Sequence, residues 1–401
     1  MGNEEGKTKV AFNHHTAEWV ADPYSVYEEL RDEKPLAYSE SHGGFWLLSR
    51  YEDVKRALFD WQTFSSAFAG RIAIPHTTPS DNIPGIPIET DPPKHTEYRN
   101  MVLKHFLRAE VNKLEPEMTR AAGELIEKFS GRGSCDLVSE YATPLLARSL
   151  GLFLKFPLED IERIEAWANA VFANRAKDPE GAKRGQRELA DYIRAQMADR
   201  KENPRDDLFS HLATLEVNGQ PLSEAELVGY GRIILLAGRE AVIDAIGNSL
   251  WYLAQNPAAR ARLVSEPGLM NDAVEEFLRY LSPIQLLGRV ATKDVELHGQ
   301  TICKGESVAM MYGSANRDPR AFPRADECVL DRRPNAHLAF GIGPHACIGS
   351  SLARLDMRVA IREFLGRIPE FRLSEAEPPV RKLNGDARGF NRLVVEFEVR
   401  A

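Results

Sequence analysis

A chain of 401 residues, 43% hydrophobic and 27% charged, has the composition of a globular enzyme and no signature of disorder. Its net charge of −8 argues against general nucleic-acid binding, and no uncharged run reaches the ~18 residues a membrane span needs. Cys135, Cys303, Cys328 and Cys347 form no CxxC pair, which suits a reducing cytoplasm better than a disulfide framework. The opening Met1-Gly2-Asn3-Glu4-Glu5-Gly6 has no basic region followed by an apolar one, so neither a signal peptide nor an anchor is expected.

In chain order, residues 23–31 have helical spacing and lead to a hairpin, Ala37-Tyr38 against Phe45-Trp46-Leu47-Leu48, turning at Ser41-His42-Gly43-Gly44. Residues 52–59 return to helical spacing. Between Phe68 and Pro93 the chain carries Pro75, Pro79, Pro84, Pro87, Pro92 and Pro93 with little periodicity, a long loop of the kind that is usually functional. In Asp91-Pro92-Pro93-Lys94-His95-Thr96-Glu97-Tyr98-Arg99, His95 and Arg99 are four apart and share one helix face. Two donors on one face can hold a carboxylate or phosphate.

Residues 115–129, 137–154, 159–176 and 181–201 read as amphipathic helices. Arg175, Lys177, Lys183 and Arg184 make a charge run that reads as a solvated face or as a steering patch for an anion. Residues 223–255 predict one long helix, apolar over most of its circumference and therefore buried. Within it Glu240, Asp244 and Asn248 recur every four residues along one face. A buried acidic face is costly unless it is paired, hydrated or functional. Glu276 and Arg279 are spaced to pair on a helix face, and residues 284–290 and 308–311 read as strand pieces. Residues 390–399 alternate enough for a hairpin strand.

The stretch Phe340-Gly341-Ile342-Gly343-Pro344-His345-Ala346-Cys347-Ile348-Gly349 puts one cysteine in a glycine-punctuated turn just ahead of a helix. A thiolate there meets the positive end of the helix dipole and free backbone amides, and the glycines leave room for a flat group against the loop. Six of these positions match the signature Phe-Gly-x-Gly-x-His-x-Cys-x-Gly, a coincidence on the order of one in 100,000 by residue frequencies. The loop closely resembles the heme-binding loop of the cytochrome P450 superfamily. His95-x-x-x-Arg99, Glu276-x-x-Arg279 and Ala237-Gly238-Arg239-Glu240-Ala241 resemble three further motifs of that family, in the same order, and the resemblance spans essentially the whole chain.

The resemblance implies a mainly α fold with small β-sheets, residues 1–401 forming a single domain of the soluble bacterial type, with heme b (iron protoporphyrin IX) between a long central helix and the cysteine loop. It implies Cys347 as the metal ligand, within a cofactor set of His95, Arg99, Arg289, His345, Phe340, Gly349 and Ala237. Leu286, Leu287 and Val242 would line the pocket, and the turn near Gly389-Phe390 would reach the substrate. Glu276 and Arg279, with Arg333 as third member, would hold the core. Asn316-Arg317-Asp318-Pro319 and Phe322 would be structural.

The catalytic group implied is Gly238, Glu240, Ala241 and Asp244, and here the sequence departs from the family pattern. Ala241 stands where a threonine hydroxyl normally organises proton delivery, with Val242 after it. A substrate hydroxyl, Glu240 with water, or a reaction other than oxygen insertion such as oxidative coupling or desaturation could each answer that loss. Peroxide use ranks below these, because Glu240 keeps the acid. The activity implied is a monooxygenase using dioxygen on a small, partly apolar molecule in specialised metabolism, free or tethered to a carrier protein. Electrons would come from a ferredoxin and its reductase, docking near Lys104, Arg108 or Arg354. A heme-binding sensor or carrier without turnover is the alternative of another class.

Overall fold

The computed structural model describes residues 6–68, 70–76, 83–172, 178–217 and 219–399. Pro79, Arg175, Lys177 and the expected helical end at residues 173–176 lie outside them. The architecture is a body of helices with a six-stranded sheet at one side. In the sheet, Leu36–Ser39 and Phe45–Leu48 form the expected antiparallel hairpin, Leu36 opposite Leu48. Phe45–Leu48 runs parallel to Ser307–Met310, which in turn pairs antiparallel with Leu287–Ala291. Every residue of Phe45–Leu48 is buried, as an inner strand with both faces covered must be.

Two apolar cores carry the helical body. One joins the helices Glu115–Ser130, Arg239–Gln255, Met270–Leu281 and Ser350–Arg367. The other lies among Lys94–Leu103, Leu158–Phe172, Pro179–Glu202 and Glu224–Leu236. The expected helix over residues 137–154 opens with a six-residue π-turn, Leu137–Ala142, before Thr143–Leu154. Pro144 has no N–H to donate and sits in the first turn of the α segment, where that loss is tolerated.

The continuous helix expected over residues 223–255 is two helices. The first, Glu224–Leu236, starts on a capping box in which the Ser223 side chain accepts from Glu226 N–H and the Glu226 carboxylate accepts from Ser223 N–H. It ends at Leu236, and Arg239–Gln255 begins afresh. Ala237 and Gly238 between them are exposed. Glycine is among the weakest helix formers. The Arg239 side chain is also pulled into the protein, towards Glu165 at 3.4 Å and Glu240 at 2.5 Å. Hydrophobic periodicity continues through the break, so the pattern alone shows no end. The C-terminal strand is also divided: Phe390–Arg392 pairs with Val380–Arg381, whereas Val394–Glu396 pairs with Arg372–Leu373 and Ser134–Asp136.

Candidate active site

The cysteine loop is held by its own backbone. Gly341 N–H donates to Leu338 O at 2.8 Å, Cys347 N–H to Phe340 O at 2.8 Å and Ala346 N–H to Gly343 O at 3.1 Å. Gly341 and Gly343 take φ of 63° and 76°, and a Cβ on Gly343 would press on Leu58 O, so both need glycine. Gly349 caps the helix Ser350–Arg367, and its backbone hydrogen bond favours a thiolate on Cys347. Burial is the larger influence and pushes the thiol up, with the Arg99 and Arg354 charges opposing it. Yet Cys347 has accessible surface, as do its neighbours at residues 339–351. Crowding and accessible surface coexist only if the sulfur faces a space inside the fold. Phe340 forms one flank, with the Arg354 guanidinium 4.4 Å from its ring centre.

Four nitrogen-bearing side chains converge beside the sulfur. His95 is buried on the helix Lys94–Leu103, and its ring centre lies 4.2 Å from that of His345. Burial, then the charges of His345 and Arg99, push His95 down to about 4, so it is neutral. Arg289 lies buried on the strand Leu287–Ala291 and adds to the positive field at His345. Arg99 is desolvated, with only the Cys347 thiolate acting to raise it. The carboxylate at hand is Asp91, 3.9 Å from His345 Nε2 and already accepting from the Ser65 hydroxyl and Ser66 N–H.

His95 Nδ1 and His345 Nε2 are buried without hydrogen-bond partners. Unsatisfied buried donors beside desolvated guanidinium groups are expensive unless an anion completes them. The two carboxylates of heme b would supply that anion and the Cys347 thiolate, flanked by glycines, would ligate its iron, so this donor set fits the group.

The helix break also leaves open surface. A Cβ on Gly238 would meet nothing within 4 Å, and Ala237 and Ala241 also show surface. Ile348 of the cysteine loop packs against the same apolar core that holds Leu235 and Leu236, at the end of Glu224–Leu236. The acidic face is answered from the C-terminal hairpin. Lys382 Nζ sits 2.6 Å from Glu240 Oε2 and 2.7 Å from Asp244 Oδ1, while Arg381 donates to Asn248 Oδ1 at 2.9 Å and Asn248 donates to Arg388 O at 2.6 Å.

Against the cost of burial, Lys382 and Arg239 hold the Glu240 carboxyl below its ordinary range. Asp244 is fully buried, and desolvation lifts it to about 6 despite Lys382. Glu240 is thus a fixed carboxylate, and Asp244 is the group of this face that can exchange a proton near neutrality. Lys382 and Arg381 gave no local signal in the sequence, because their partners lie more than a hundred residues away.

The Glu276–Arg279 pair is fully buried, at 2.7 Å. Its third member is Arg332, whose Nε lies 3.0 Å from Glu276 Oε2, and not the expected Arg333, which is exposed and pairs with Asp272. The two arginines are adjacent, and only the path of the loop decides which one points inward. Asn316 and Asp318 are structural as expected: Leu338 N–H donates to Asn316 Oδ1 at 2.7 Å and Tyr51 N–H to Asp318 Oδ2 at 3.0 Å. Leu286 is fully buried with Tyr27 and Phe45, away from the expected pocket lining, because it faces the sheet core. Val242 is buried in the helical core. Arg354 makes two bonds to Glu275, of 2.6 and 2.8 Å, and is therefore not a free docking cation.

A cytochrome P450 family model matches residues 177–390. Cytochrome P450 130 of Mycobacterium tuberculosis is 33% identical over 381 residues, 91% of this chain and 93% of that protein. The polyketide biosynthesis cytochrome P450 PksS of Bacillus subtilis is 30% identical over 401 residues, 97% of this chain and 99% of PksS. The solved PksS structure covers 96% of this chain, and this chain 100% of it, at a TM-score of 0.88. P450BioI, solved with an acyl carrier protein bearing hexadec-9Z-enoic acid, is 29% identical and matches at a TM-score of 0.87 over 95% of this chain and 99% of that one. Among the described residues no helix is long and apolar enough to cross a membrane. The chain belongs to the cytochrome P450 family, oxidoreductases whose prosthetic group is heme b.

Proposed function

We propose that this P450 oxidises a small, partly apolar molecule in specialised metabolism, in the cytoplasm, as a single domain supplied with electrons by a ferredoxin and its reductase. Cys347 would ligate the heme iron, and His95, Arg99, Arg289 and His345 would hold the two heme carboxylates. The bound heme supplies activation of dioxygen for insertion into a C–H bond. The observation that carries this reading is the convergence of a glycine-cradled thiol with Arg99, Arg289 and two buried histidines, His95 and His345, each of which has a ring nitrogen without a partner.

The chain's own residues set the terms of proton supply. Ala241 offers no hydroxyl at the break. Glu240 is locked as a carboxylate by Arg239 and Lys382, so it orients water as an acceptor. Asp244, raised to about 6, lies one turn further on and shares Lys382, which makes it the protonatable end of the relay. A substrate hydroxyl standing in for the missing threonine completes the path. If no such hydroxyl is present, the same alanine favours coupling or desaturation, in which no oxygen is inserted.

PksS is named for polyketide biosynthesis, and P450BioI was solved with a loaded acyl carrier protein. The first supports a biosynthetic setting and the second a substrate presented on a carrier. An optical titration of the ferric protein tests this, run with free small molecules and separately with acyl- or aminoacyl-loaded carrier proteins. The reading predicts a Soret shift with one of these sets and NADH- or NADPH-dependent product once ferredoxin and reductase are added. No shift with either set, together with no turnover, would leave a heme-binding carrier in its place.

A further inference from the structure

Asp91 stands where three elements meet beside the cysteine loop. It leads through Pro92 and Pro93 into the helix Lys94–Leu103, and its backbone carbonyl accepts from His95 N–H at 2.9 Å. Its carboxylate accepts from the Ser65 hydroxyl and, at 3.0 Å, from Ser66 N–H, at the end of the strand Phe64–Ser65. Its Oδ1 also faces Nε2 of His345, in the cysteine loop, at 3.9 Å. Helix start, strand and cysteine loop are thus registered against one residue.

Ser65 and Ser66 are buried, and Asp91 and His345 keep only 17% and 5% of their side-chain surface. Against the cost of burial, His345, Ser65 and Ser66 hold the Asp91 carboxyl below its ordinary range, so it carries its charge. The bonds from Ser65 and Ser66 need only an acceptor, which a neutral amide oxygen would provide. A negative charge here also repels the two carboxylates that the neighbouring donors would hold. What the charge offers in return is a partner for His345. That ring's Nε2 is buried without a hydrogen bond, and a movement of about 1 Å brings it within bonding distance of Asp91.

The His345 ring needs such a partner. Its centre lies 4.2 Å from that of His95, in the positive field of Arg289 and Arg99, with Asp91 as the opposing carboxylate. Two closely packed imidazoles in a positive field do not fix their own orientation, whereas a carboxylate acceptor on one ring nitrogen does.

We propose that Asp91 is a positioning residue for the heme site: its carboxylate holds the His345 ring, and its backbone carbonyl the start of Lys94–Leu103, in the register at which His95, Arg99 and His345 would meet the heme carboxylates. The proposal rests on His345 being a heme donor. Asp91 itself touches no heme atom and acts through the ring it orients.

The test is the rate of heme transfer from the holoprotein to excess apomyoglobin, followed in the Soret region, for the wild type, Asp91→Asn, His345→Asn and the double variant, with His345→Gln in place of His345→Asn should the latter fail to load heme. Asparagine keeps an acceptor for Ser66 N–H and removes the charge that faces His345. The expected result is heme loss at least ~10-fold faster in each single variant, no faster in the double variant than in the His345 variant alone, and a thiolate-type carbon-monoxide band in all four proteins. A purely structural role for Asp91 would make the two changes additive. Additive losses, or unchanged heme loss in Asp91→Asn while the His345 variant loses heme faster, would overturn the proposal and leave the heme assignment standing. Unchanged heme loss in the His345 variant would overturn that assignment and the proposal with it.

Discussion

At the scale of single residues, the decisive feature is the placing of buried charge around one open space. Lys382 carries the largest share, since it compensates both Glu240 and Asp244 with side chains that are nearly or partly removed from water. Lys382→Met should lower stability by about 3 kcal/mol in urea unfolding, because it leaves two carboxylates without their shared cation. Adding Asp244→Asn should restore part of the loss, and no coupling between the two changes would contradict the pairing. His95, Arg99, Glu240 and Cys347 were legible in the sequence because each lies in a short motif of fixed spacing. Lys382 was not, since nothing near residue 382 shows what it faces.

At the scale of elements, two helices keep buried polar groups whose energetics can be separated. The Glu276–Arg279–Arg332 cluster anchors Met270–Leu281 to the loop ahead of the cysteine. Arg332→Ala should cost about 3 kcal/mol by leaving part of a fully buried carboxylate uncompensated, whereas Arg333→Ala should change stability by under ~1 kcal/mol, its partner being at the surface. Chemical denaturation of the two variants side by side decides it. Sequence spacing located this cluster but could not choose between neighbouring arginines.

On Ser350–Arg367, Asp356 is fully buried with Ser149 Oγ donating at 2.6 Å, and burial lifts it to about 7. The folded protein therefore keeps a proton there that the unfolded chain loses near pH 4. Stability from this group is fully present below about pH 4 and declines as pH rises towards 7. Asp356→Asn should flatten that part of the stability–pH curve, and an unchanged slope would contradict the assignment. The break at Ala237-Gly238 belongs to the same scale. It was invisible to periodicity because the apolar pattern runs straight through it, while the cause, a buried Arg239 drawn to Glu165 on another helix, is tertiary.

At the scale of the whole molecule, the fold brings a cysteine loop, a strand and a helix start from three distant parts of the chain to one site. The mainly α class and the order of the motifs were readable from the residues, because the motifs are local. The pairing of the C-terminal hairpin with the central helix was not, because charges separated by more than a hundred residues leave no pattern. All four cysteines are unpaired, so the claim that Cys347 alone ligates iron is open to direct trial.

The measurement is the absorption spectrum of the reduced, carbon-monoxide-bound protein for the wild type, Cys347→His and a Cys135→Ser, Cys303→Ser, Cys328→Ser triple variant. The account predicts a thiolate-type Soret band in the wild type and the triple variant, and its loss in Cys347→His with heme still bound. A thiolate-type band that survives in Cys347→His, or vanishes in a folded, heme-loaded triple variant, would contradict it.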